Sequence, residues 1–154
     1  MAPRVLRSER VKKQNGFTLM EVLITVAIIG ILTAIAYPSY KNSVVNGNRT
    51  TVQGDLEAAS AAMAAYRAQN FTYTGATLGS GAVFRNVSPE SGTPLYDLEL
   101  TVTDARQYVI FAKPRSSGLQ KDDGALGINQ NGDRCWNKAS SASCTPGDAG
   151  QKWK

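Results

Sequence analysis

Residues Gly16 to Ala36 read GFTLMEVLITVAIIGILTAIA. Between Phe17 and Ala36 the polar residues are Thr18, Glu21, Thr25 and Thr33. Twenty residues of helix span about 30 Å, the thickness of a bilayer's hydrocarbon core. The flanks are unequal. Residues 1–16 hold five basic side chains against one acid, a net of +4 out of a whole-chain +5. The remaining residues hold 12 bases and 11 acids, a net of +1. Bases before an apolar run keep that end cytoplasmic, so the chain crosses once with its bulk outside. The charge therefore serves topology and disfavours a nucleic-acid partner for the body of the protein.

Composition removes several classes. There is no histidine, which excludes His-based triads and His-ligated zinc. Two cysteines cannot build a four-thiolate zinc site. No Ser or Asp has an imidazole base beside it, and no catalytic constellation or cofactor site is expected. Asp122 and Asp123 sit in a Gly-flanked loop and read as solvated turn residues.

A secretory signal peptide would place a small-x-small cleavage site after the run, and Tyr37-Pro38-Ser39-Tyr40 fits that poorly. A plain signal anchor leaves Glu21 unexplained. A carboxylate costs about 2.5–3.5 kcal/mol at the bilayer centre, less near the edge. Glu21 either lies at headgroup level, one turn into the helix, or has a partner.

Gly16-Phe17-Thr18-Leu19-Met20-Glu21-Val22-Leu23 resembles the class III signal sequence of type IV prepilins and type II secretion pseudopilins. The resemblance implies cleavage between Gly16 and Phe17 by a prepilin peptidase, then N-methylation of Phe17. Cleavage creates an α-amine, which is charged at neutral pH. The family implies that Glu21 pairs with the Phe17 ammonium of a neighbouring subunit and sets axial register. It also implies that the Gly30 to Pro38 stretch loses helix when subunits pack. Pro38 by itself removes one helical hydrogen bond and predicts a local kink.

Past the membrane, Val45, Val52, Leu56, Ala59, Met63 and Tyr66 recur at helical spacing. One long helix is expected from Phe17 to about Ala68, its second half amphipathic. A loop over 70–94 follows, with a short strand at Ala82–Val87. Tyr96, Leu98, Leu100 and Val102 alternate with polar residues and predict a half-buried strand. Gln107 to Lys113 pairs back as a hairpin, Ala125 to Asn129 adds a strand, and Asn131-Gly132 is a turn. Cys135-Trp136 opens another strand or loop.

A long N-terminal helix before an antiparallel sheet is the type IV pilin architecture, an α+β fold. Ala36-Tyr37-Pro38-Ser39-Tyr40, Asn70-Phe71-Thr72-Tyr73, Gln107-Tyr108-Val109-Ile110 and Gly132-Asp133-Arg134-Cys135-Trp136 resemble minor pilins of the PilE type. That group often carries a cysteine before the last strand, and Gly118 to Gly124 has none. The expected organisation is a leader (1–16), a transmembrane and assembly helix (17–40) and a periplasmic head (41–154). The head divides into helix 41–69, loop 70–94, sheet 95–136 and disulfide loop 135–144. Cys135 and Cys144 close a polar loop, which outside the cytoplasm reads as a disulfide. It resembles the C-terminal disulfide loop of pilins. A redox site would want the tighter C-x-x-C spacing.

Two binding candidates remain. Asn129, Asn131 and Asp133 place oxygens at alternate positions, like the start of a calcium loop, without the terminal Glu. Lys113, Arg115 and Lys121, and Arg134, Lys138, Lys152 and Lys154, form the local basic groups that a DNA-binding reading would need. The function implied is a minor, non-enzymatic type IV pilus subunit that primes or supports assembly, and with it twitching motility, adhesion or DNA uptake. Its implied partners are major and minor pilins, the prepilin peptidase, the inner-membrane assembly machinery and, before assembly, membrane lipid. It would wait in the inner membrane and end in an extracellular filament. The alternatives are a type II secretion pseudopilin and a DNA- or receptor-binding tip protein.

Overall fold

The computed structural model describes residues 16–153. The expected leader, Gly16 apart, lies outside them. Helix α1 runs over Leu19–Asn70 with Pro38 inside it. Strands follow at Val87–Ser88 (β1), Tyr96–Asp104 (β2), Gln107–Pro114 (β3), Ala125–Asn129 (β4) and Arg134–Asn137 (β5). They form one antiparallel meander in the order β1-β2-β3-β4-β5. The chain divides into a unit ending at Pro38 and a head starting at Ser39.

Within the first unit the apolar run is helical and uncovered. Leu23, Ile24, Val26, Ile28, Ile29, Ile31, Leu32 and Ile35 are all exposed. The helix is continuous through both Gly30 and Pro38.

The head has a core because both of its patterns point inward. Val52, Leu56, Ala59 and Met63 are fully buried, in the expected stripe. They pack in one cluster with Tyr96, Leu98, Tyr108, Ile110, Ala112, Leu126 and Ile128, the inward faces of β2 to β4. A large apolar side chain fully buried this way contributes about 1.5–3 kcal/mol. Tyr66 packs against the cluster from the edge.

The expected strand at Ala82–Val87 is shorter than its residues suggested. Only Val87–Ser88 ladders with β2, while Leu78 and Phe84 make an isolated parallel bridge. Gly79 and Gly81 take positive φ just before this segment, and the Gly79 N–H bonds the Phe84 carbonyl while the Val83 N–H bonds the Thr77 carbonyl, so the segment's first half folds back on 77–79 instead of joining β2. Asp55 on α1 fixes the region by accepting from Arg85 and from the Ser88 hydroxyl.

β5 is tied down on both sides. Cys135 and Cys144 form the disulfide. The segment after it returns along β5: Trp136 N–H donates to the Gln151 carbonyl, and Trp153 Nε1 donates to the Cys135 carbonyl, each at 2.6 Å. Gly127 is needed beneath the bridge, since a Cβ there would lie 3.0 Å from Cys135 Sγ.

Candidate functional site

At the start of α1 the sequence Thr18-x-x-Glu21 closes a capping box. Thr18 Oγ1 accepts from the Glu21 backbone N–H at 3.2 Å, and the Glu21 carboxylate accepts from the Thr18 N–H at 3.4 Å. This satisfies two donors that a helix start otherwise leaves unpaired. Glu21 thus has a local role as well as the implied one. Phe17, 86% exposed, borders a shallow groove of about 270 Å3 with Glu21, Val22, Thr25 and Val26. Gly16, Phe17 and Glu21 lie within two turns. Gly30 has nothing near its Cβ position.

The head holds a polar network that the sequence reading missed. Asp123 is not a solvated turn residue: it is 3% exposed. Arg49 on α1 pairs with its carboxylate, with Nε 3.1 Å from both oxygens. The Tyr96 hydroxyl donates to the same carboxylate, and Trp136 Nε1 donates to the Asp123 carbonyl at 2.7 Å. Gln120, fully buried, donates to the Tyr96 hydroxyl at 2.6 Å and the Val45 carbonyl at 3.3 Å. Asn48 donates to Gln120 Oε1 at 3.2 Å. The Arg49 guanidinium stacks on Trp136 at 4.0 Å. Burial, and then the Asp123 hydrogen bond, push the Tyr96 hydroxyl well above the usual tyrosine range. Burial also raises Tyr108. The network fastens the β3–β4 loop to α1, β2 and β5. Gly124 makes this possible: its φ is +84°, and a Cβ there would clash with the Asn137 carbonyl.

The structure divides the basic residues into paired and unpaired. Lys113 pairs with Glu99, Arg115 with Asp97, Arg134 with Glu57, and Arg85 with Asp55 and Glu90. Both basic groups anticipated from the sequence are therefore partly neutralised. Lys41, Arg67, Arg106, Lys121, Lys138 and Lys152 have no carboxylate partner among the described residues. They occupy different ends of the head. Lys41 and Arg67 are separated by about 39 Å of helix.

At the Arg67 end, Phe71 is 87% exposed with φ 59°. Phe71 directly follows α1 and ends it in the left-handed conformation, its N–H donating to the Arg67 carbonyl at 2.7 Å. The Arg67 guanidinium lies 5.2 Å over the Tyr73 ring. Tyr73 N–H donates to the Ala105 carbonyl at 3.0 Å, which brings the Arg106 turn to the same end.

The calcium candidates form a closed turn. Asn129 Oδ1 accepts from the Asn131 and Asp133 N–H groups, and Asn129 Nδ2 donates to Asp133. Among the described residues no three His, Cys, Asp or Glu side chains cluster as metal ligands.

Residues 38–136 match the family model described as type IV minor pilin ComP, DNA uptake sequence receptor. Residues 11–37 match the prokaryotic N-terminal methylation motif. A fimbrial protein of Pseudomonas aeruginosa is 31% identical over 136 residues, covering 82% of this chain and 85% of that one. The type II secretion system core protein G of the same species is 34% identical over 83 residues, covering 54% and 56%. The type IV major alpha-pilin of Moraxella bovis is 34% identical over 108 residues, covering 68% and 55%. The chain thus spans about half the length of the latter two relatives. Its fold resembles the crystal structure of the Neisseria meningitidis non-core minor pilin PilV, with a TM-score of 0.51 at 12% identity, covering 68% and 96%. A capped, uncovered apolar helix start, a helix-on-meander head closed by a disulfide, and these matches together place the chain in the type IV minor pilin family.

Proposed function

We propose that the chain is a minor structural subunit of a type IV pilus, without catalysis of its own. Residues 17–40 store it in the inner membrane with the head periplasmic. Cleavage after Gly16 and methylation of Phe17 then prepare it for the filament. The observation that supports this is the uncovered apolar helix. A surface of this size needs lipid or the helices of neighbouring subunits around it. The Glu21 carboxylate accepts from the Thr18 N–H in the cap, so pairing with a neighbour's Phe17 ammonium would draw it away from that bond. The pseudopilin relative shares the helix. The disulfide-closed β5 loop favours the pilus over the secretion system. Gly16→Leu tests the reading: an uncleaved, heavier membrane species is expected by intact-mass measurement, and normal processing would refute the leader assignment.

A second reading rests on the description of the matched family and on the Arg67 end of the head. There Arg67 and Arg106 would contact DNA phosphates and Phe71 would add an apolar contact. This sets a local surface against the small net charge, which by itself disfavoured nucleic acid. Full-length protein in detergent should retard a DNA duplex at low salt. Arg67→Ala/Arg106→Ala should lower the salt slope by about 2, one unit for each phosphate no longer neutralised. No retardation by the unmodified chain would remove the reading.

A further inference from the structure

The opposite end of the head carries a cleft of about 430 Å3. Lys41, Asn42 and Asn46 line it from α1, and Asp122 and Lys138 from the loops. Arg49, stacked on Trp136, completes it.

Its charge is specific. Lys41 and Lys138 lack carboxylate partners among the described residues, and Asp123 neutralises Arg49. With Asp122, the lining holds three cations and two carboxylates, a net of +1. A phosphodiester carries one negative charge. Lysine ammoniums act as compact, mobile point charges, suited to a solvated phosphate. The Asn42 and Asn46 amides add donors, and Asp122 can accept from a hydroxyl on the phosphate's substituent.

Its position is specific too. Lys41 directly follows the expected span 17–40, so along the chain it stands within a turn of the bilayer surface. Tyr37 and Tyr40, both exposed, are of the type that settles at headgroup level. A cleft of this size admits one phosphate and its substituent, whereas a duplex presents phosphates along a rod.

We propose that this cleft holds the phosphodiester headgroup of an anionic phospholipid while the subunit is stored in the membrane. The proposal rests on the membrane-storage reading above.

Native mass spectrometry tests it, using the full-length chain in micelles doped equally with phosphatidylglycerol and phosphatidylcholine. Preferential retention of phosphatidylglycerol is expected. Lys41→Ala/Lys138→Ala should weaken that preference by about fivefold per lysine removed. Lys41→Arg/Lys138→Arg should keep it, as should Arg67→Ala/Arg106→Ala at the other end. Equal retention of the two lipids, or an unchanged preference in the double alanine variant, overturns the proposal. So does a double alanine variant that loses DNA retardation while keeping its lipid preference. Carbonate extraction separates the two failures. A chain released by carbonate loses the storage reading along with the cleft, whereas an integral chain without lipid preference loses only the cleft.

Discussion

Before Pro38, α1 is apolar on every side, and all its large hydrophobics are exposed. After Pro38, apolar residues fall on one stripe, and Val52, Leu56, Ala59 and Met63 are shut off from water. An all-round apolar helix takes its stability from what surrounds the chain, while a striped one takes it from its own sheet. Damage to the head should therefore appear as unfolding of an isolated subunit. Damage to the first half should appear only when subunits meet. Trp136 and Trp153 report on the head alone, since both tryptophans lie there.

The sharpest break on the head side is Asp123→Ala. It leaves the Arg49 guanidinium buried without its partner and should cost about 3–5 kcal/mol, read as a drop in the denaturant midpoint of tryptophan fluorescence. Gly124→Ala comes next. A left-handed backbone and a clash with the Asn137 carbonyl should together cost about 3 kcal/mol, seen in the same melt. Removing the disulfide with Cys135→Ser/Cys144→Ser should cost about 2.7 kcal/mol for a loop of this length in the chain-entropy model. An unchanged midpoint would mean that the returning C-terminal segment alone holds β5.

A smaller effect is pH-dependent. Native Tyr96 and Tyr108 resist deprotonation because burial raises both. Unfolded tyrosine ionises near pH 10. Their stability contribution is thus complete below about pH 10 and is lost as pH rises above it. Alkaline titration of the melting temperature should show this fall, and Tyr96→Phe should make it shallower.

Glu21→Ala should change the head's melting least of all and yet remove the subunit from sheared filaments. Normal incorporation, measured by quantitative mass spectrometry, would mean that the carboxylate matters only to the helix cap. A loss of head stability instead would erase the contrast between the two halves.

The patterns that depend on near neighbours could be read without the structure. The apolar run, the stripe at Val52 to Met63, and the alternation of Tyr96, Leu98, Tyr108 and Ile110 all follow from local period. Asp123 could not be read this way. Its neighbours Lys121, Asp122 and Gly124 are those of a solvated turn, and its partner Arg49 is 74 residues away. The basic groups failed for a related reason. Lys113 and Arg115 face Glu99 and Asp97 only once the β2–β3 register is known. At Ala82–Val87, propensity suggests a strand, but the turns at Gly79 and Gly81 just before it fold its first half back on 77–79. The Thr18-x-x-Glu21 cap is itself a sequence signature, although Glu21 also stands out as an acid in an apolar span.

The segment that returns along β5 has a consequence for how such a subunit behaves in a crowd. An open strand edge offers unpaired amides and carbonyls to any other chain. Here the Trp136 N–H donates to the Gln151 carbonyl and the Gly147 N–H donates to the Arg134 carbonyl on that side, and at the other margin β1 is two residues long. Sheet-to-sheet growth is blunted at both margins. If the chain assembles through its helix as proposed, its heads would thereby avoid a competing mode of polymerisation.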